Sequence, residues 1–239
     1  MTTRDRIDLR YQLLFLGAFH CGTGLRAGLI DRATARDSKG RLRVPGSSFK
    51  GVVRRQCGWL LEQLAGENGR GGFAPALMAT IFGSPSSEGS LFWDDAAPVI
   101  DPALEEATRG QGNVAAFPPP HRTRVSMSRH TGTAERGRLF SLEHAPEGLI
   151  FQGRVHGWVG GPHVGPMGVC AGVPLLVAGL LLVDRMGGAR GGGFGRCRVT
   201  IPELRVNNLP GDLAPLIRVL YDADLPYAEQ PEEPEASAT

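Results

Sequence analysis

Lysine is nearly absent from this chain of 239 residues, although basic residues are common. Of the 26 basic residues only Lys39 and Lys50 are lysine, so 24 are arginine. The formal charge is only +2, but residues 226–239 hold four glutamates and no basic residue, which leaves +6 on residues 1–225. Arginine forks onto phosphate and stacks on bases, which favours a nucleic-acid partner. Codon bias is the alternative explanation, because Gly, Ala and Pro are also abundant, and the arginine count alone does not establish such a partner.

Sequence signals for a metal site, for export and for nucleotide hydrolysis are also lacking. The chain has four widely spaced cysteines, Cys21, Cys57, Cys170 and Cys197. They form no C-x-x-C pair and no paired spacing with histidine, so we expect free thiols and no zinc site of ordinary spacing. No signal peptide is recognisable, and the apolar run 173–183 is too short to span a bilayer, so we expect a core helix and a cytoplasmic protein without a membrane partner. The glycine-rich residues 187–195 lack the Lys-Ser or Lys-Thr of a P-loop.

Periodic apolar residues predict a strand followed by a helix. Apolar and polar residues alternate from residue 7 to residue 15, which is typical of a strand. Pro45 and Gly46 predict a turn, and we expect Ser47 or Ser48 to cap a helix that runs to about Ala65. Apolar residues recur in this segment at helical spacing and predict its buried side.

The rest of the chain predicts three more core strands, a hairpin arm and a second helix. Further strands are expected at residues 91–93, 122–129, 149–159 and 197–201. Pro174 is expected in the first turn of a helix that runs through Asp184 and Arg185. The core order of strand, helix, strands, helix, strand fits a split βαβ arrangement, so we predict an α+β fold with a ferredoxin-like or RRM-like core.

The start of the first helix is a candidate anion site. Its free amides carry positive partial charge, and Lys50 and Arg54 lie four residues apart on one helical face. A phosphate can therefore meet amides and two cations together. An ordinary amphipathic helix with a solvated basic face explains the spacing equally well.

Five segments in a fixed order resemble the RAMP superfamily of CRISPR-associated proteins. They are Gly28-Leu29-Ile30-Asp31, Val44-Pro45-Gly46-Ser47-Ser48-Phe49-Lys50-Gly51, Gly89-Ser90-Leu91-Phe92-Trp93-Asp94-Asp95-Ala96, Arg122 to Phe140, and Gly187 to Arg196. The likeness is to the repeated backbone subunit of type III effector complexes of Csm or Cmr type. It implies a single RNA-binding domain over residues 1–225, with a thumb-like hairpin inserted at about 109–140 and a glycine-rich loop, followed by an acidic, disordered tail at 226–239.

The resemblance also implies site residues. Those assigned to RNA binding are Ser47, Ser48, Lys50, Arg54, Arg129, Thr131, Arg138, Arg190, Gly192, Gly193, Phe194 and Arg196. Asp31 matches an aspartate that cuts target RNA with a divalent metal, Mg²⁺ or Mn²⁺, so it is both the catalytic and the metal-binding candidate. Without this context Asp31 reads as a solvated loop residue or a turn cap. Asp37 and the pair Asp94-Asp95 are interpreted as structural, and His20 as a packed or exposed residue that is able to assist proton transfer.

The implied partners are a CRISPR guide RNA, a complementary target RNA, neighbouring backbone subunits, and large and small effector subunits. The guide would supply sequence specificity by base pairing. Two alternatives remain open. One is a non-cleaving structural paralogue of the same assembly, and the other is a guide-processing endoribonuclease of the same superfamily, which relies on histidine rather than on a loop aspartate.

Overall fold

The computed structural model contains both strands and helices and describes residues 3–24, 31–68, 74–100, 120–165 and 168–222. The strands are β1 (Thr3–Phe15), β2 (Gly83–Ser84), β3 (Ser87–Glu88), β4 (Leu91–Trp93), β5 (Ala97–Pro98), β6 (His121–Met127), β7 (Ala134–Glu143), β8 (Ile150–Gly161), β9 (His163–Val164), β10 (Val169–Cys170), β11 (Cys197–Val206) and β12 (Leu209–Pro210). The helices are α1 (Gly46–Asn68), α2 (Ala74–Phe82), α3 (Gly172–Leu181) and α4 (Leu213–Asp222), with a 3₁₀ turn at Arg190–Gly192.

The main sheet has the strand order β12-β11-β1-β8-β4, with β5 paired to β8. All its pairs are antiparallel, and in the centre Leu9 lies opposite both Val155 and Leu204. The four core strands therefore lie in the order fourth, first, third, second, with α1 and α3 as the crossovers. This arrangement confirms the predicted α+β fold with a ferredoxin-like core.

One face of the sheet is covered by the helices. The alternation in β1 puts Ile7, Leu9, Tyr11, Leu13 and Phe15 on this side, and all five are buried. Helices α1 and α3 approach closely because α3 has a glycine at the contact. A Cβ atom on Gly179 would lie 2.2 Å from the Cys57 Sγ.

Helix α3 is the core helix expected from the apolar run, since its residues from Gly172 to Leu180 are buried. Pro174 lies in its first turn, as predicted. The predicted extension through Asp184 and Arg185 is wrong, because the helix ends at Leu181. The chain then turns back to the sheet, where the Cys197 N–H donates to the Asp184 carbonyl at 2.8 Å.

A separate two-stranded hairpin is formed by β6 and β7. It lies within the expected thumb segment, although its second strand continues to Glu143. Residues 109–119 of that segment, residues 28–30 and the acidic tail 226–239 lie outside the described residues. All four cysteines are buried and none is in a disulfide. No helix in the described ranges is both long and apolar enough to cross a membrane.

Candidate nucleic-acid interface

The Asp31 segment (residues 31–36) is attached to strand β7 of the hairpin. The Asp31 Oδ2 accepts a hydrogen bond from the Ser141 N–H at 2.9 Å, and the Asp31 N–H donates to the Ser141 Oγ at 3.3 Å. The Arg32 N–H donates to the Ser141 carbonyl, and the Glu143 N–H donates back to the Arg32 carbonyl at 3.0 Å. Asp31 is half-buried at this junction. The catalytic candidate therefore has a fixed position beside the hairpin.

Glu143, which is buried at the base of the hairpin, also binds the Asp31 segment, through Thr34 and Arg36. Its carboxylate accepts hydrogen bonds from the Thr34 N–H and, at 2.7 Å, from the Thr34 Oγ1. It also forms an ion pair with Arg36 at 3.2 Å. The Glu143 carbonyl accepts a hydrogen bond of 2.7 Å from the His20 ring, so the Nδ1 atom of His20 carries a proton.

Two buried histidines flank Glu143 and remain neutral near pH 7. Burial lowers the pKa of His20, and the neighbouring Arg32 lowers it further. Burial likewise lowers the pKa of His144, with help from Arg122. Neither ring therefore adds positive charge to the interface in neutral solution.

We expect the protein to be less stable in mildly acidic solution for this reason. Below about pH 6.5 the unfolded chain binds protons at His20 and His144 that the folded protein does not, so the free energy of unfolding falls as the pH drops. Urea unfolding at about pH 7.5 and about pH 5.5 measures the difference. The variant His144→Phe keeps an aromatic ring at the site and should show a weaker pH dependence; an unchanged dependence would contradict this assignment.

The glycine loop (residues 187–196) is an ordered structure. The Gly188 N–H donates to the His20 carbonyl and the Gly195 N–H to the Ala18 carbonyl, both at 2.8 Å. Gly195 has a φ of 81°, and a Cβ atom there would lie 1.9 Å from the Met186 carbonyl oxygen. Only glycine fits this position. Arg190 and Gly192 lie in the 3₁₀ turn, and Gly193, at a φ of 87°, is exposed.

Phe194 joins this loop to the base of the hairpin. It is only 4% exposed, and its ring stacks on His144 with centroids 5.3 Å apart. The guanidinium groups of Arg124 and Arg122 lie 4.8 and 5.4 Å from its centroid. The resemblance implies that Phe194 binds RNA, but its ring is covered by protein, whereas Arg196, two residues later, is exposed.

The start of α1 differs from the prediction. The helix begins at Gly46, so Ser47 and Ser48 lie in its first turn and are exposed, and neither is the N-cap. The Gly46 N–H instead donates to the Asp95 Oδ1 at 2.8 Å, and Asp95 also forms an ion pair with Arg43. The interpretation of Asp95 as structural agrees with this contact.

An open cleft of about 350 Å³ lies between α1 and the glycine loop. It is lined by Cys21, Gly22, Ser48, Gly51, Val52, Arg55, Gly187, Gly188 and Arg190. Ser48 and Arg190, both predicted from the sequence, therefore meet here. Lys50, half-exposed, and Arg54, exposed, lie on the adjacent side of α1. Arg55 was missed, although its spacing from Ser48 and Gly51 indicates that it shares their helical face.

The remaining predicted residues lie toward the tip of the hairpin. Arg129 and Thr131 are in the turn, where the Gly132 N–H donates to the Ser128 carbonyl at 2.9 Å. Arg138 is exposed and forms an ion pair with Glu135 at 2.9 Å. The tip is about 30 Å from Glu143 along β7, judged from the usual rise of a strand. These residues are therefore not part of the cleft.

A further group of potential metal ligands lies near the start of β1, around Asp5. Ligand atoms of Asp5, His163 and Cys170 lie within 4.8 Å of one another. Both Asp5 oxygens already accept hydrogen bonds, from the Cys170 N–H at 2.6 Å and from the Asn207 Nδ2 at 2.8 Å. Burial pushes the pKa of Asp5 up, but these hydrogen bonds outweigh it and hold the pKa below its usual value. Asp5 thus ties β1 to two later segments of the chain.

Comparison with known proteins identifies both a sequence family and a shared fold. The family model of the RAMP superfamily matches residues 12–198. No curated protein matches the chain. Two solved structures of the type III-B Cmr-beta complex, one in the apo state and one bound to cognate target RNA, contain similar chains. Each is 14% identical with a TM-score of 0.52; the matches cover 82% and 81% of this chain and 97% and 96% of those chains.

Proposed function

The chain belongs to the RAMP superfamily, and from this premise we propose that it is a guide-RNA-binding backbone subunit of a type III CRISPR effector complex that cleaves complementary target RNA. The observation that carries the proposal is that the Asp31 segment, the β6–β7 hairpin and the glycine loop are joined to one another. The Asp31 segment is bonded to β7, and Phe194 joins the base of the same hairpin to the glycine loop and hence to the cleft.

The cleft is the proposed grip on the guide backbone. The Gly46 N–H already donates to Asp95, but the exposed Ser47 and Ser48 of the first turn of α1 offer backbone amides and positive partial charge to a phosphate. Arg55 and Arg190 line the same cleft and add two cations, and neither forms an ion pair within the described ranges. Lys50 and Arg54 extend this basic surface along α1. Arg196 and the exposed Gly193 would meet the strand beyond it, while Phe194 holds the loop in place.

The hairpin is the proposed thumb. Its exposed apolar side chains include Met127 and Leu139, which suits them to wedge beside an unstacked base. Arg129, Thr131 and Arg138 would contact the RNA backbone near the tip. Cleavage requires the attacking 2′-hydroxyl to be in line with the leaving oxygen, and splaying one nucleotide out of the guide–target duplex would bring it there. Target RNA, neighbouring backbone copies and large and small subunits are the proposed partners.

Asp31 is the proposed catalytic residue. Its half-buried carboxylate would share a hard divalent cation, Mg²⁺ or Mn²⁺, with RNA phosphate oxygens and water, a donor set that such ions accept. The metal would supply charge stabilisation at the cleaved phosphate. The hydrogen bond from the Ser141 N–H orients the carboxylate, and the ion pair of Glu143 with Arg36 fixes the segment that bears it.

The direct test is incubation of the reconstituted, guide-loaded complex with end-labelled complementary RNA and Mg²⁺. Evenly spaced cuts, absent after chelation of the metal, are expected. A target that is bound but left intact would contradict the cleaving role.

That second result would favour a non-cleaving structural paralogue. Two observations support this alternative. The Asp31 Oδ2 is bonded to the backbone of Ser141, and the described residues place no cluster of three metal ligands around Asp31.

The grip on the guide gives a separate prediction. Arg55→Ala combined with Arg190→Ala should weaken guide binding and flatten its salt dependence, with the slope of log K against log salt falling by about 0.7 for each lost phosphate contact on a single strand. Filter binding at several salt concentrations measures both quantities. The exposed Arg218 on α4 does not line the cleft, so Arg218→Ala is the matched control. Equal slopes in all three proteins would remove the cleft from the RNA site.

A further inference from the structure

The face of the main sheet opposite the helices is uncovered by the described elements. The outward positions of β1 are Arg4, Arg6, Asp8, Arg10, Gln12 and Leu14, which alternate with buried residues. Outward residues of β8 and β11 lie beside them in register, with Asp8 between His156 and Arg205. We call this surface the open face. The main sheet separates the open face from the buried side. No residue of the open face lines the cleft.

Three rings form a row across the open face. Phe92 on β4 is 65% exposed and stacks against His156 on β8, with centroids 5.4 Å apart and 23° between the planes. Trp158, which is 48% exposed, lies two residues further along β8, opposite Arg6. Neighbours on one face of a strand are about 7 Å apart. Phe92 and His156 therefore stack on each other, and the spacing of His156 and Trp158 along β8 leaves room for a further flat group.

A glycine makes the row possible. Gly157 has a φ of 135°, and a Cβ atom there would lie 2.2 Å from the Ser90 carbonyl oxygen. Its missing side chain lets β4 approach β8, which brings Phe92 against His156. The exposed rings are thus held by backbone packing.

The charge of the open face is positive. Its charged side chains are Arg4, Arg6, Arg10, Arg154, Arg198, Arg205, Asp8, Asp94 and Glu203. Asp8 binds Arg154 through two hydrogen bonds of 2.7 and 2.5 Å, and Glu203 pairs with its arginine neighbours. Asp94 lies 3.8 Å from the His156 Nδ1. Arg4, Arg6 and Arg198 form no ion pair within the described ranges, which leaves three cations for an anionic partner.

We propose that the open face is a second RNA-binding site, at which bases of a single strand stack on Phe92 and Trp158 while Arg6 and Arg198 meet its phosphates. Arg6 lies opposite Trp158, and Arg198 lies opposite Leu14 further along the same face. Exposed rings and unpaired guanidinium groups on one face suit a ligand that is both flat and anionic. An apolar protein surface would leave these cations without partners. The site lies on a different face from the cleft and does not depend on the cutting role of Asp31.

The test is binding of the full chain to fluorescein-labelled oligouridylate, followed by anisotropy. The background is the double variant Arg55→Ala, Arg190→Ala, so that the cleft contributes little. Phe92→Ala and Trp158→Ala should each raise the Kd by about 5-fold to 100-fold, the usual effect of losing one stacked base. Trp59, which is half-exposed on α1, gives the control Trp59→Ala, for which no change is expected.

Two further measurements keep the result interpretable. In a Trp59→Phe protein, oligouridylate should quench the tryptophan fluorescence, and Trp158→Phe should abolish most of the quenching. Arg6→Gln with Arg198→Gln should flatten the salt dependence without removing any ring. Unchanged Kd and quenching in these variants would overturn the proposal. So would a loss of self-association with unchanged RNA affinity, because the face would then contact a second copy of the chain. Guide loading of the Arg55→Ala, Arg190→Ala complex tests the cleft separately.

Discussion

Asp31→Asn is expected to reduce target cutting by about 100-fold or more while assembly and target binding persist, since loss of a positioned catalytic group costs this much in other enzymes. The amide of asparagine keeps an oxygen that accepts the hydrogen bond from the Ser141 N–H, so the segment stays attached to β7. The negative charge is lost, and one carboxylate oxygen is replaced by an NH₂ group that cannot bind a metal ion. Cleavage of end-labelled target by the guide-loaded complex, under single-turnover conditions, measures the rate.

Two other variants separate chemistry from docking. Asp31→Ala removes the hydrogen bond as well as the charge, and Ser141→Ala keeps the backbone N–H but removes the Oγ contacts. We expect Asp31→Ala to cut no better than Asp31→Asn, and Ser141→Ala to cut nearly as well as the wild type. If Asp31→Asn cuts at the wild-type rate, the carboxylate is not catalytic, and its role is to hold the segment against the hairpin.

Gly46→Ala is expected to lower the free energy of unfolding by about 3 kcal/mol, the upper part of the range for overpacking. A Cβ atom on Gly46 would lie 2.1 Å from the Trp93 carbonyl oxygen, and this obstacle is backbone that cannot rotate away. For a domain of this size the melting temperature should fall by about 10 °C. Thermal unfolding followed by circular dichroism measures it.

Gly51→Ala is the matched control within the same helix. Gly51 is exposed, and a Cβ atom there would meet nothing within 4 Å. Replacing an exposed helical glycine by alanine should stabilise the protein by about 0.5 to 1 kcal/mol. The two glycines of one motif therefore have opposite predicted effects. Equal melting temperatures for both variants would contradict the close packing of α1 on β4.

Local patterns predicted the core well. The alternation in β1 reflects burial on one side of a sheet, which is visible within nine residues. The start of α1 was harder to predict from the sequence, because its first N–H donates to Asp95, 49 residues later. The end of α3 also depends on a distant partner, since Asp184 is drawn into contact with Cys197.

In the candidate site, too, local motifs could be predicted from the sequence and long-range contacts could not. The positions of Ser48 and Arg190 follow from motifs, and both lie in the cleft. Phe194 has the residue type of a stacking platform, but its exposure is decided by Arg122, Arg124 and His144, which come from another element. Contacts between residues far apart in sequence leave no periodic signal, so the burial of Phe194 could not be predicted from the sequence.

The position of β1 at the centre of the sheet has a consequence for synthesis on the ribosome. Its two neighbours are β8 and β11, and β11 begins only at Cys197. Contacts of such long range are slow to form, and they cannot form before β11 has been translated. The cleft also needs residues 187–190, so a nascent chain would complete the proposed RNA-binding cleft only after these residues have been translated. Prematurely terminated products that stop before Cys197 lack this pairing and would not complete the main sheet.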